Sequence, residues 1–175
     1  MPDPQQLLKR YCQSDDRSAF NTFYRQQADR LWRFLVARGC DESHAYDLLS
    51  ESFLKFIQVI CKDYRSPLAL LYKIAINLQI DDYRRKKISP VDIDNSAVDN
   101  YSEFLEESSD MKDYVRRLIK TLPEREQNML LLRYWIGLTH KEIAVNMNIP
   151  EGTVRRQCAD VIKALKQRWL DNADG

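Results

Sequence analysis

Apolar side chains recur at helical spacing along most of the chain, and this periodicity constrains the fold more than any other feature. In the first half, three such runs extend over residues 20–35, 45–60 and 68–78. Repeats of three and four residues place apolar groups on one face of an α-helix. The 175 residues include only four glycines, too few for the turns of a β-sandwich or β-barrel or for a glycine-rich phosphate loop. The sequence therefore predicts an all-α protein.

Charge divides the chain into three segments. Residues 1–87 contain 15 Lys and Arg against 11 Asp and Glu, and residues 111–175 contain 12 against eight, so each segment is net +4. Residues 88–110 contain seven acidic residues and no basic one. We predict an N-terminal helical bundle at 1–87 and a C-terminal helix-turn-helix domain at 111–175, joined by a flexible acidic linker at 88–110. Two basic blocks suit a polyanionic partner such as nucleic acid.

Residues 139–165 carry the signals of a helix-turn-helix. Thr139 and Glu142 have the spacing of a capping box at a helix start. Asn148 tolerates the left-handed backbone conformation that a tight bend can need, and Pro150 fits the first turn of the following helix. Two helices joined by such a bend form a motif that places its second helix in the major groove. Five polar residues of that second helix are the predicted contacts to duplex DNA: Thr153, Arg155, Arg156, Gln157 and Lys163.

A second candidate nucleic-acid site lies near the end of the first block. Aromatic rings alternate with cations there, and rings can stack on unpaired bases while cations follow the backbone of a single strand. The basic run also has a structural interpretation, because cations at a helix C-terminus complement the helix dipole. The candidate residues are Tyr72, Lys73, Asn77, Tyr83, Arg84, Arg85, Lys86 and Lys87.

The sequence predicts no catalytic, cofactor or metal site. Neither His44 nor His140 has a nucleophile beside it. Cys40 and His44 have a spacing found in metal sites, but structural zinc normally needs four ligands, so a buried or unreactive thiol is the favoured interpretation. No apolar run approaches the ~18–20 residues of a membrane span, and the N-terminus lacks the features of a signal peptide. We therefore expect a cytoplasmic protein that is not an enzyme.

Several motifs together resemble bacterial RNA polymerase sigma factors of the extracytoplasmic-function (ECF) group, within the sigma-70 family. In the first block, Ala45–Phe53 is similar to the polymerase-binding helix of that family. Leu71–Leu78, followed by Asp81 and Arg84–Arg85, is similar to its promoter-melting helix. The motifs similar to its fourth region are Leu122–Arg125, Leu131–Tyr134, Gly137–Ala144 and Ile149–Val154. The resemblance extends over residues 16–170.

The resemblance implies a transcription initiation factor with no active site of its own. Such a factor binds core RNA polymerase, directs it to promoter DNA, helps to open the duplex and often binds an anti-sigma factor. The second domain would read the −35 element as duplex. The first domain would capture an unpaired base of the −10 element with the loop Cys61–Ser66, including Tyr64 and Arg65, and with Asn77. The residues expected to bind the polymerase are Asp47, Leu48, Ser50 and Glu51.

Other functions fit parts of the sequence. A stand-alone helix-turn-helix regulator would bind a palindrome with its second domain and dimerise or sense a ligand with its first, which leaves residues 72–87 and the acidic segment without a role. A helical adaptor that binds only proteins predicts no salt-dependent affinity for DNA. Transcription from a purified polymerase core distinguishes the sigma factor from the regulator, because only a sigma factor should start it alone.

Overall fold

The computed structural model describes residues 1–88, 117–119 and 121–174, without the side chains of residues 87 and 88. All regular structure in these ranges is helical, so the predicted fold class is confirmed. The chain divides into two compact units that part between Tyr101 and Ser102. Apart from residue 88, the predicted acidic linker lies outside the described residues.

Four helices form the described part of the first unit. They are α1 (Pro4–Ser14), α2 (Arg17–Ala37), α3 (Glu42–Val59) and α4 (Pro67–Ile88), with a 3₁₀ turn at Ile60–Lys62 between the last two. The side chains of Asp3, Asp16 and Asp41 cap the first three helices by accepting hydrogen bonds from backbone N–H groups of the first turn. Gly39 follows α2 with φ 103°, a conformation that favours glycine.

An aromatic core joins α2 to both α3 and α4. Phe23 of α2 stacks on Phe56 of α3 at a centroid distance of 5.4 Å and meets Phe53 edge-on at 6.4 Å. Phe34 of α2 meets Tyr72 of α4 edge-on at 5.0 Å. Aromatic pairs in such geometries contribute ~0.5–1.5 kcal/mol beyond the burial of their area. The core therefore fixes the two helices that carry predicted site residues against α2.

Gln79 of α4 provides a buried polar link to the end of α2. Its Nε2 donates to the backbone oxygens of Leu35 at 3.3 Å and Arg38 at 3.2 Å, and to Cys40 Sγ at 3.1 Å. Its Oε1 accepts from Arg38 Nε at 2.8 Å. Because buried polar groups need partners, this network satisfies the amide while it ties the two helices together.

The second unit contains α5 (Glu124–Leu130), α6 (His140–Met147) and α7 (Glu151–Ala173) among its described residues. A π-helical turn at Leu131–Ile136 continues α5, and residues 117–119 are also helical. Pro123 and Pro150 precede their helices rather than occupy the first turn. The core side chains are smaller than in the first unit, and the most buried are Met129, Leu132, Leu138, Ile143 and Val154.

The described ranges contain neither a membrane-spanning helix nor a cluster of metal-ligating side chains. No helix there combines the length and the apolar character that crossing a bilayer requires. In the same ranges, no three His, Cys, Asp or Glu side chains converge as a metal site would need. The pair with metal-like spacing is engaged elsewhere: Cys40 accepts the hydrogen bond from Gln79, and His44 Nε2 lies 2.6 Å from Asp82 Oδ2.

Candidate nucleic-acid interface

The helix-turn-helix of the second unit has the local geometry that its sequence predicts. Thr139 Oγ1 accepts a hydrogen bond from the backbone N–H of Glu142 at 3.1 Å, and Glu142 Oε2 accepts from the backbone N–H of Thr139 at 2.8 Å. This reciprocal pair is the predicted capping box. Asn148 ends α6 with φ 55°, so the left-handed bend is also confirmed. The short bend presents α7 as the second helix of the motif.

The outward face of α7 carries charges of both signs. Arg156, Asp160 and Lys163 are exposed and lie four and three residues apart, which places them on one side of the helix. The opposite side is buried through Val154 and Val161. Asp160 thus lies between two cations, so this face offers hydrogen-bond donors on both sides of a carboxylate that accepts.

The other predicted duplex contacts lie at the flanks of that face. Arg155 is exposed, and its Nη2 donates to Glu151 Oε1 at 2.9 Å, one helical turn earlier. Thr153 and Gln157 are half-buried. Arg156 is therefore the arginine of the first two turns that faces outward without this ion pair to Glu151.

Exposed polar residues also line one side of α4 in the first unit. Lys73, Asn77 and Arg84 share this side, because their spacings of four and seven residues correspond to one and two helical turns. Asn77, Arg84 and Arg85 are exposed, and Lys73 is half-buried. The structure thus brings an amide and several cations together along one helix, an arrangement that suits an extended single strand of nucleic acid.

The end of α4 is linked to the start of α3 through Asp82. Asp82 Oδ2 lies 2.6 Å from His44 Nε2 and 3.3 Å from Lys86 Nζ. Burial raises the pKa of this carboxyl, but the hydrogen bonds with His44 and Lys86 outweigh burial and lower it below its usual value. Part of the charge on Lys86 is therefore compensated within the protein, whereas the side chain of Lys87 lies outside the described residues.

Tyr72 is a correction to the predicted single-strand site. Its side chain is fully buried and packs against Phe34, so it cannot stack on a base. Burial also raises the pKa of its hydroxyl, which has no hydrogen-bond partner in the structure. The prediction was wrong because aromatic residues on α4 were assigned to one surface, whereas the helix turns Tyr72 inward with Leu71 and Ala75. Tyr83, which is 50% exposed, is the aromatic residue of α4 that remains accessible.

The loop Cys61–Ser66 contains a local ion pair. The guanidinium of Arg65 donates to the two carboxylate oxygens of Asp63 at 2.9 and 2.7 Å. These hydrogen bonds lower the pKa of Asp63 to about 2. Both side chains are exposed, so the pair shapes the loop and leaves Arg65 accessible to a binding partner.

Two contacts between α1 and this loop could not be deduced from the sequence. Cys12 and Cys61 form a disulfide with a Cα–Cα distance of 5.3 Å. Next to it, Gln13 Nε2 donates to the hydroxyl of Tyr64 at 2.9 Å. The even number of cysteines was the only available signal, and it does not specify a pairing.

The outward side of α3 combines acidic and apolar groups. Asp47, Ser50 and Glu51 are exposed as expected, but Leu48 is only 3% exposed and belongs to the core. Leu48 is thus unavailable for the polymerase contact that was predicted. Leu54, which is 65% exposed, lies seven residues after Asp47 and supplies an apolar group on the outward side.

Comparisons with known proteins give matches to part of the second unit and to most of the chain. The family described as Sigma-70, region 4 matches residues 112–165. Two curated relatives are each 30% identical to this chain: the RNA polymerase sigma-H factor of Pseudomonas aeruginosa and the ECF RNA polymerase sigma-E factor of Salmonella typhimurium. In both cases the match covers 86% of this chain and 86% of the relative. The solved structure of CnrH in complex with the cytosolic domain of CnrY has a similar fold, with a TM-score of 0.63 and 16% identity over 98% of this chain and 99% of that chain. The chain therefore belongs to the ECF group of RNA polymerase sigma factors, which direct the polymerase to promoters.

Proposed function

We propose that this sigma factor divides promoter recognition between its two units. The second unit reads the −35 element as duplex, and the first unit captures and separates the strands of the −10 element. The observation that carries this proposal is the difference between their exposed helices. α7 follows a capped helix and a tight bend, whereas α4 presents an exposed amide, Asn77, in line with Lys73 and Arg84.

Arg156 and Lys163 have different roles in the proposed duplex contact. An arginine near the start of a recognition helix can donate two hydrogen bonds to guanine in the major groove. Lys163 lies about 10 Å farther along α7, given the rise of ~1.5 Å per residue, where a lysine suits a phosphate. Asp160 between them repels phosphates but can accept a hydrogen bond from the amino group of cytosine.

The proposed opening step rests on the exposed side of α4. A base leaves the stack only if the protein offsets an unstacking and unpairing cost of a few kcal/mol. The side-chain amide of Asn77 supplies both a donor and an acceptor for the edge of a base. Lys73, Arg84 and Arg85 supply positive charge for the strand backbone, and the loop residues Tyr64 and Arg65 precede the same helix.

The outward side of α3 is the proposed contact with core polymerase. Asp47 and Glu51 provide charge, Ser50 a hydroxyl and Leu54 an exposed apolar group, which together resemble the mixture found at transient interfaces. We place this complex in the cytoplasm. Membership of the family also implies a regulatory partner, an anti-sigma factor. The protein contributes binding and positioning, and the polymerase performs the chemistry.

Transcription by purified core polymerase tests the division of roles. We expect Asn77→Ala to leave core binding unchanged but to slow open-complex formation about 5- to 150-fold, the equivalent of one lost base contact. A promoter already unpaired across its −10 element should largely restore transcription. Asn21→Ala, at an exposed position of α2, is the matched control and should have no effect. A lowered thermal stability without rescue by the unpaired template would instead assign Asn77 to the structure of α4.

A further inference from the structure

The loop Cys61–Ser66 is held by two successive residues of α1. Cys12 is bonded to Cys61 at the start of the loop, and Gln13 donates its hydrogen bond to the Tyr64 hydroxyl within it. Within the first unit, α1 otherwise packs mainly against α2, where the ring centroids of Tyr11 and Phe20 lie 5.0 Å apart. The disulfide is therefore a covalent connection between a peripheral helix and the segment proposed to capture a −10 base.

The chemistry of the four cysteines is unequal. Cys40 and Cys158 are buried and free. Burial raises the pKa of the Cys40 thiol to about 11 and also raises that of Cys158, so these two thiols are scarcely ionised and exchange slowly with disulfides. Cys61 is exposed and Cys12 is half-buried, so reagents in solution can reach the bridge. Thiol–disulfide exchange is thus directed to one pair.

We propose that Cys12 and Cys61 form a redox switch that controls the order of the loop Cys61–Ser66 and, through it, the rate of promoter opening. The inference rests on the proposed role of this loop in the first unit. Disulfides of cytoplasmic proteins are usually transient, catalytic or redox-sensing rather than permanent. A bridge that is accessible and adjacent to a proposed functional loop has the position that such a sensor needs.

The Cys12–Cys61 bridge forms by thiol–disulfide exchange, and a low-molecular-weight disulfide such as oxidised glutathione is the oxidant. The Cys61 thiolate attacks one sulfur of the oxidant, forms a mixed disulfide and releases one thiol. The Cys12 thiolate then attacks Cys61 Sγ and releases the second thiol. Two electrons pass from the protein to the oxidant, and the two protons lost by the cysteines pass to the released thiolates. Two thiols of the reduced small molecule reverse the same steps.

The bridged state is the active state in this proposal. With the bridge closed, the loop is attached to α1 at both Cys61 and Tyr64, and the strand meets a loop that is already ordered. With the bridge open, only one of these two attachments remains, the hydrogen bond between Gln13 and Tyr64. Binding then has to order the loop, and this ordering costs free energy that the bridged state does not lose.

The test measures the bridge and promoter opening in the same samples. The full-length protein is equilibrated with defined ratios of oxidised and reduced glutathione, and the bridged fraction is determined by alkylation and mass spectrometry. Open-complex formation with core polymerase should be about 2- to 12-fold faster for the bridged protein, the range expected for ordering one side chain on binding. Affinity for −35 duplex should be equal in both states, since α7 carries no part of the bridge.

Two variants control for other effects. Cys12→Ser combined with Cys61→Ser should open promoters at the slow rate under all conditions, whereas Cys40→Ala combined with Cys158→Ala should keep the redox response. Absence of the bridge at every glutathione ratio, or equal opening rates for bridged and reduced wild-type protein, would overturn the switch while sigma-dependent transcription persists. Absence of transcription in either state would overturn the proposed function and this inference with it.

Discussion

The first unit joins its helices through aromatic rings and a disulfide, whereas the second unit has a core of aliphatic side chains and well-defined local signals at its helix ends. In the first unit, Phe34 and Tyr72 meet across α2 and α4, and the disulfide joins residues separated by 49 positions. In the second unit, the capping box and the left-handed residues Gly137 and Asn148 define the helix ends locally. A helix boundary can therefore be deduced from neighbouring residues, whereas the partner of a core side chain cannot.

The largest expected effect concerns the long-range core of the first unit. Phe34→Ala should lower the free energy of unfolding of this unit by about 3–5 kcal/mol, because it removes a fully buried ring and leaves a cavity beside Tyr72. Urea denaturation combined with amide hydrogen exchange would measure the loss separately in α2 and α7. An equal loss of protection in α7 would contradict the assignment of this loss to the first unit.

A smaller effect is expected on recognition by the second unit. Arg156→Ala should weaken binding to the preferred −35 duplex by about 1–3 kcal/mol and relax the preference at one base pair. Lys163→Ala should instead weaken all duplexes alike and reduce the slope of log affinity against log salt by about one. Titrations at several salt concentrations would measure both quantities. Identical behaviour of the two variants would contradict the assignment of Arg156 to a base.

A local change in the second unit should cost less than the core change in the first. Thr139→Ala removes the hydroxyl that caps α6 and should lower the free energy of unfolding by about 1 kcal/mol. Thr139→Ser keeps the hydroxyl and serves as the matched control. Hydrogen exchange of the first turn of α6 should increase in the alanine variant alone. Equal exchange in both variants would show that the capping box contributes little.

The smallest expected effect is an acid dependence in the first unit. The pKa of Asp82 is lowered in the folded state, so its contribution to stability is complete above the unfolded pKa of about 4 and is lost as pH falls through the folded value. Asp82→Asn should therefore remove part of the decrease in melting temperature that occurs as the pH falls below about 4. If the melting temperatures of the variant and the wild type fell by the same amount as the pH is lowered, Asp82 would make no such contribution.

The exposure of several site residues was predictable because it depends on helix periodicity alone. Arg156, Lys163 and Asn77 are exposed as their positions outside the apolar stripes predict. The prediction was wrong where two sides of one helix had to be distinguished. Tyr72 was assigned to a binding surface because its ring is aromatic, and Leu48 because of the family resemblance. Both residues complete the core, because helix packing rather than residue type decides which side faces inward.

Local sequence patterns were sufficient to predict the helical class, the capping box of α6, the bend at Asn148 and the family motifs. These features depend on residues a few positions apart, whose interactions are the same in any tertiary context. Three other contacts become apparent only in the folded chain: Cys12 with Cys61, Gln13 with Tyr64 and Phe34 with Tyr72. Such contacts join separate helices, and their geometry follows from how whole helices pack against one another rather than from the spacing of any one segment.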